Sequence, residues 1–267
     1  MGTAMLHDVN SRPSRPQRGF SLLELLLVVT ILTIVLGVVM DGMVQMQQRN
    51  SAESSKVDTV QETRDFIDQV VRDIHEVGYP PGRVVNNNPS CDPLANPNAA
   101  SVSCGLIYFS PTQIQYEGDL DGKGTVYRVW VNLQVPASGN CPCILQRGVL
   151  TKTSAIGGNV PTYFTEVNGV LNSGNGAGAG TFPISLGGPG SYATYATADV
   201  FDSYDVNGTL NPVGTCSTAP ACSSIRSLQI TANVAPNYMD PKTSTYPVYS
   251  ITSRARMNNG CSIPGTC

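Results

Sequence analysis

The sequence predicts an α+β chain, with one long N-terminal helix followed by an antiparallel β-rich domain. Three observations carry that expectation. An apolar run from Phe20 to Met40 leads into a helical stripe that lasts to Val77. Gly78-Tyr79-Pro80-Pro81-Gly82 then joins a C-terminal glycine to prolines that cannot continue a helix. From Gly105 onward, short β-branched and aromatic segments alternate with turn residues.

The apolar run is long enough to span a membrane. Phe20–Met40 is roughly 21 residues, or ~31 Å as a helix, against a bilayer core of ~30 Å. A secretory signal has a shorter apolar region followed by its cleavage site. Here the one evident cut, Gly19–Phe20, precedes the run, so cleavage leaves the span on the mature chain. Arg12, Arg15 and Arg18 lie before the span, and the next Lys or Arg is Arg49. The positive-inside rule therefore places the N-terminus in the cytoplasm and the remainder across the inner membrane. All eight cysteines (Cys91, Cys104, Cys141, Cys143, Cys216, Cys222, Cys261 and Cys267) fall on that outer side, where disulfides persist.

Beyond the span, Val57, Val60, Ile67, Val70, Val71, Ile74 and Val77 recur at helical spacing among charged and amide residues. No proline interrupts Phe20–Val77, which allows one helix of ~87 Å with flex points at Gly37 and Gly42. The stripe is expected to pack on a sheet. Expected strands are Leu106–Phe109, Gln113–Tyr116, Val126–Leu133, Ile144–Arg147, Ser227–Val234 and Val248–Arg256.

Arg18-Gly19-Phe20-Ser21-Leu22-Leu23-Glu24 at the head of the span resembles the type IV prepilin family, which includes pilins and pseudopilins. The resemblance covers residues 18–45. It implies cleavage after Gly19 by a prepilin peptidase, N-methylation of the new terminus Phe20, and a filament-assembly role for Glu24. It also implies a pilin-like fold for the whole chain. Asp41 stands where many major pilins carry a kinking proline. Within the family, Asp73-Ile74-His75-Glu76-Val77-Gly78-Tyr79, the Asp119–Gly124 turn, Leu145-Gln146-Arg147 and Ser253–Asn258 are similar to PilW-type minor pilins.

Glu24 also has a physical reading. A carboxylate near the bilayer centre costs about 2.5–3.5 kcal/mol and needs a partner. In a processed chain the one cation the span supplies is the α-amine of Phe20. Paired within one helix it is a local contact, whereas paired between subunits it sets filament register.

Other candidates are weaker. Glu117, Asp119 and Asp121 form an acidic hairpin that is a possible calcium loop, although the distal bidentate glutamate is missing and Asp-Gly alone accounts for a turn. Neighbour pairing would join Cys91–Cys104, Cys141–Cys143, Cys216–Cys222 and Cys261–Cys267, but eight cysteines leave the connectivity open. Asn168–Ser191, rich in Gly, Ala, Ser and Asn, reads as an exposed flexible loop. It lacks the lysine of a phosphate-binding loop.

The two histidines are His7 and His75, and no Gly-x-Ser-x-Gly elbow occurs. No catalytic constellation, cofactor or metal is expected, so the chain is not read as an enzyme. Removing residues 1–19 takes the formal charge from −3 to −5, which disfavours bulk nucleic-acid binding. The division read from the sequence is a leader (1–19), a transmembrane helix (20–40), a helical extension (41–79) and a disulfide-containing β domain (80–267). The function that follows is a minor pilin of a type IV pilus, with the peptidase, other pilins and the inner membrane as partners. A J-type pseudopilin of type II secretion and a filament-borne adhesin or DNA-uptake subunit are the alternatives.

Overall fold

A computed structural model describes residues 19, 21–81, 99–136, 141–173, 195, 197–240, 242–243 and 245–259. The chain forms two units, Met1–Gln48 and Arg49–Cys267. Helix α1 (Leu22–Glu76, 55 residues) supplies the described helical part of the first unit and the opening of the second.

In the second unit an eight-stranded antiparallel sheet is built from β1 (Leu106–Ser110), β2 (Gln113–Gly118), β3 (Tyr127–Gln134), β4 (Cys143–Thr151), β5 (Tyr163–Val170), β6 (Phe201–Tyr204), β7 (Ser227–Val234) and β8 (Tyr249–Arg256). Its order is β1-β2-β3-β4-β5-β7-β6, with β8 on the other side of β7. The first four strands form a meander because short polar turns join strands that alternate in burial. β5 meets β7 at a single pair, Val170↔Val234. A short helix α2 (Lys152–Ile156) leaves β4, capped by Thr151, whose hydroxyl accepts the Ser154 amide.

The core lies between one face of this sheet and one stripe of α1. Thr63, Phe66, Ile67, Val70 and Ile74 are buried on the helix, at the spacing of a single face. They meet Phe109, Ile114, Tyr116, Val129, Val131, Leu145, Leu228 and Ile230 in one cluster. Burying each such aliphatic side chain is worth roughly 2 kcal/mol. The expected stripe began too early, because Val57 is 56% exposed, while Phe66 and Thr63 belong to it.

The helix stops where the sequence indicates. Val77 leaves the helix to bridge Gly118, and Gly78 takes φ 84°. The Gly78 amide donates to the Glu117 carbonyl (3.0 Å) and the Asp119 amide to that of Tyr79 (2.9 Å), so the end of β2 receives the end of the helix. A Cβ on Gly118 would lie 2.7 Å from the Glu76 carbonyl oxygen, which explains glycine at that crossing.

Two expectations need correction. The loop read over Asn168–Ser191 begins later: Asn168–Val170 complete β5, and Leu171, Asn172 and Ser173 are buried. Asn172 explains this, since its side chain donates to the carbonyls of Asp199 and Thr231 and accepts the Asn233 amide. Residues 174–191 lie outside those described. Strands β5 and β6 and helix α2 were not foreseen at all. In β5 the motif Asn168-Gly169 reads as a turn, yet Gly169, at φ 72°, sits inside the strand because a Cβ there would lie 2.2 Å from the Ala235 oxygen. Gly169→Ala is therefore expected to cost at least ~2 kcal/mol. An unchanged urea midpoint would show that the close approach does not exist.

Disulfides join Cys141–Cys143 and Cys216–Cys222, and Cys104 is also disulfide-bonded. Cys91, Cys261 and Cys267 lie outside the described residues.

Candidate functional site

The N-terminal segment is built for an apolar environment. From Leu22 to Gln48 every residue of α1 is solvent-exposed, and large apolar side chains dominate, from Leu22 (80%) through Val38 (71%) to Met46 (66%). Leaving so many apolar side chains in water is costly, which marks the segment for a lipid or protein partner. By length and composition α1 can cross a membrane, with a mean hydropathy of 2.8 over its best window. Hydroxyls within the run are satisfied locally, Thr30 and Thr33 each donating to the carbonyl four residues back (2.8 Å). Asp41, at the end of the span, accepts from Gln45 (3.1 Å), so the helix passes the missing-proline position without a break.

At the head of the helix, Gly19 is exposed, and a Cβ there would meet nothing within 4 Å. Glu24 lies exposed in the first turn of α1, where a carboxylate complements the helix dipole. Phe20 and the leader through Arg18 lie outside the described residues.

Residues 14–40 match the family model described as the prokaryotic N-terminal methylation motif. The chain carries a prepilin methylation motif. The match supports a membrane-anchored precursor of the type IV pilin and pseudopilin class, whose members are structural subunits. It implies processing by a prepilin peptidase and assembly with other pilins. The α+β architecture described above is consistent with the pilin fold. No curated protein and no solved structure matches the chain significantly.

The other residues singled out in the sequence have structural roles in the globular unit. Asp73, at the end of α1, accepts from Arg147 of β4 (2.7 Å) and from the Tyr116 hydroxyl of β2 (2.9 Å) through the same oxygen. Burial first, and then the adjacent Asp73 carboxylate, push the Tyr116 phenol well above its ordinary value. Two phrases distant in sequence thus become one clamp between helix and sheet. His75 is exposed, its Nδ1 3.0 Å from the Arg256 carbonyl oxygen of β8. That contact anchors the last strand and gives no sign of a general base.

Glu117 has an unforeseen role. Its side chain is fully buried, and four donors saturate its carboxylate. Oε1 accepts Nε (3.0 Å) and a terminal nitrogen (2.7 Å) of Arg128. Oε2 lies 2.8 Å from the Lys152 ammonium and 2.9 Å from the Cys104 amide nitrogen. Lys152 is itself fully buried and also donates to the Val102 carbonyl (2.7 Å). Neither oxygen is left for calcium.

Of the remaining loop acids, Asp119 accepts the Gly124 amide through Oδ2 while its buried Oδ1 has no hydrogen-bond partner among the described residues, and Asp121 accepts the Lys123 amide and the Tyr127 hydroxyl. Among the described residues, no group of three or more His, Cys, Asp or Glu side chains is arranged to hold a metal ion. The sequence signal for Lys152 was faint: one lysine directly after a strand in a lysine-poor chain.

Proposed function

We propose that the protein is a minor pilin of a type IV pilus, of the PilW type, held in the inner membrane until it joins a filament. The observation that carries this reading is the methylation motif at the head of a helix whose apolar side chains lie uncovered. A prepilin peptidase cuts after Gly19, and Phe20 becomes the methylated first residue. Glu24 then stands one helical turn from a new α-amine, in a segment where an unpaired carboxylate is unfavourable. Its pairing with the Phe20 amine of a neighbouring subunit guides the incoming helix to its register. The globular unit, acidic and clamped to its helix, is carried outward on the filament.

The test separates processing from assembly. Glu24→Ala removes the charge without touching the cut, so the variant is expected to be cleaved normally and to vanish from sheared filaments. The measurement is the ratio of filament to membrane protein, and a loss of tenfold or more is expected. Wild-type incorporation by the Ala variant would refute the role given to Glu24.

A further inference from the structure

A groove in the second unit gathers guanidinium groups in an otherwise acidic chain. It lies on the β6–β7–β8 part of the sheet, holds about 670 Å³, and is lined by Asp205, Arg226, Ser227, Arg254 and Arg256 together with the Val206–Gly208 turn. The alternation of the strands puts the arginines there. Gln229 pairs with Arg254 and Ser227 with Arg256, while Leu228 and Ala255, one residue out of step, are buried in the core. Ser227, Gln229, Arg254 and Arg256 therefore share the face opposite the core.

The groove is preorganised. The Arg254 guanidinium lies 3.6 Å from the centroid of the Tyr204 ring, and two of its nitrogens donate to the Ser227 hydroxyl (3.1 and 2.9 Å). Arg226 is held by the carbonyls of Ser223 and Ile225. Arg256 has an exposed side chain, and neither it nor Arg254 forms an ion pair with a carboxylate among the described residues.

The nearby acids are directed elsewhere. Asp205 accepts the amides of Asn207 (2.8 Å) and Thr209 (2.7 Å), and these backbone donors hold its carboxyl below the usual range. Asp202 accepts from Asn211 (3.1 Å).

We propose that this groove binds the phosphate group of a phosphate monoester. Three guanidiniums line this one groove, and an anion with three peripheral oxygens suits them better than a carboxylate with two. The groove opens to solvent, so the organic part of an ester can extend out of it. The Asn207–Gly208 turn and the Ser227 hydroxyl offer neutral polar contacts beside it.

The test is calorimetric titration of the full chain in detergent with inorganic phosphate and, separately, a short single-stranded oligonucleotide. Sodium chloride at equal ionic strength is the reference. Binding above the chloride reference is expected, weakened tenfold or more in R254Q/R256Q. R254Q also gives up the Tyr204 and Ser227 contacts, whereas Arg256 is exposed, so the single variant R256Q should melt at the wild-type temperature and still weaken binding. D205N removes a negative charge from the rim and is expected to tighten binding, about threefold.

A preference for inorganic phosphate, which presents the free oxygens of a monoester, would carry the proposal, whereas a preference for the oligonucleotide, whose phosphodiesters present two, would overturn it. Heat equal to the chloride reference for both probes would overturn it. So would binding that R254Q/R256Q leaves unchanged.

Discussion

Glu117→Leu is expected to lower the stability of the globular unit by about 3–5 kcal/mol, because it strands Lys152 in the interior without its counter-charge. In a domain of this size that is a fall in melting temperature of roughly 10 °C. The side chains of both partners are inaccessible to solvent, so neither water nor salt can replace the lost contact. Arg128 differs: its side chain is 22% exposed and can turn outward when Glu117 is gone. Lys152 has no such escape, since it is wholly buried at the first position of α2, where its ammonium also meets the Val102 carbonyl (2.7 Å) and the Cys104 sulfur (3.6 Å).

A double-mutant cycle isolates the pair. Lys152→Met alone leaves Glu117 with Arg128 and the Cys104 amide, and is expected to cost less than Glu117→Leu. The double variant, with two apolar side chains in the same space, should be more stable than Glu117→Leu alone. Thermal unfolding followed by circular dichroism reads all four proteins. Single costs below ~1 kcal/mol that simply add would show that the buried charges are bystanders.

Gly19→Val is expected to abolish maturation while leaving the fold untouched. Space is open around Gly19, so the valine side chain disturbs no contact in this protein, and any block must arise in the peptidase. Intact mass and N-terminal fragmentation of the protein from cells read the result directly. The wild type should begin at N-methyl-Phe20 wherever the peptidase is present, and the Val variant should keep residues 1–19. A Val variant cut at the same bond, or a wild type that keeps Met1 beside an active peptidase, would remove the basis for a filament subunit.

These two predictions differ in where their evidence lies. The Gly19 prediction rests on the sequence alone, because the methylation motif, an apolar run and a spaced glutamate are contiguous there. The Glu117 prediction does not. Glu117 looked like the first acid of a possible calcium loop, and its actual partners stand 11 and 35 residues away along the chain. Asp73 and Arg147 were each noted as parts of helix-end and strand phrases, but their contact crosses 74 residues.

Local pattern was sufficient for α1 and for strands with clear alternation, and β7 spans Ser227–Val234 as read. It failed where glycine and asparagine imitate a turn, as in β5, and where a strand is as short as β6. The arginine groove was missed for the same reason as the Glu117 cluster: Arg226 and Arg254 belong to different segments until β7 and β8 pair.

By itself the sequence determined the apolar N-terminal helix with its methylation motif, the end of the helix at Gly78 and the α+β class. Each of these follows from residues next to or a few turns from one another, where apolar length, helical period and turn chemistry act locally. Only the tertiary structure decided that Glu117 holds two cations, that Asp73 clamps Arg147, and that Asn172 ends the expected loop early. Those outcomes depend on which strands become neighbours. Strand pairing is set by how the whole apolar surface is buried, and no short window of sequence contains that information.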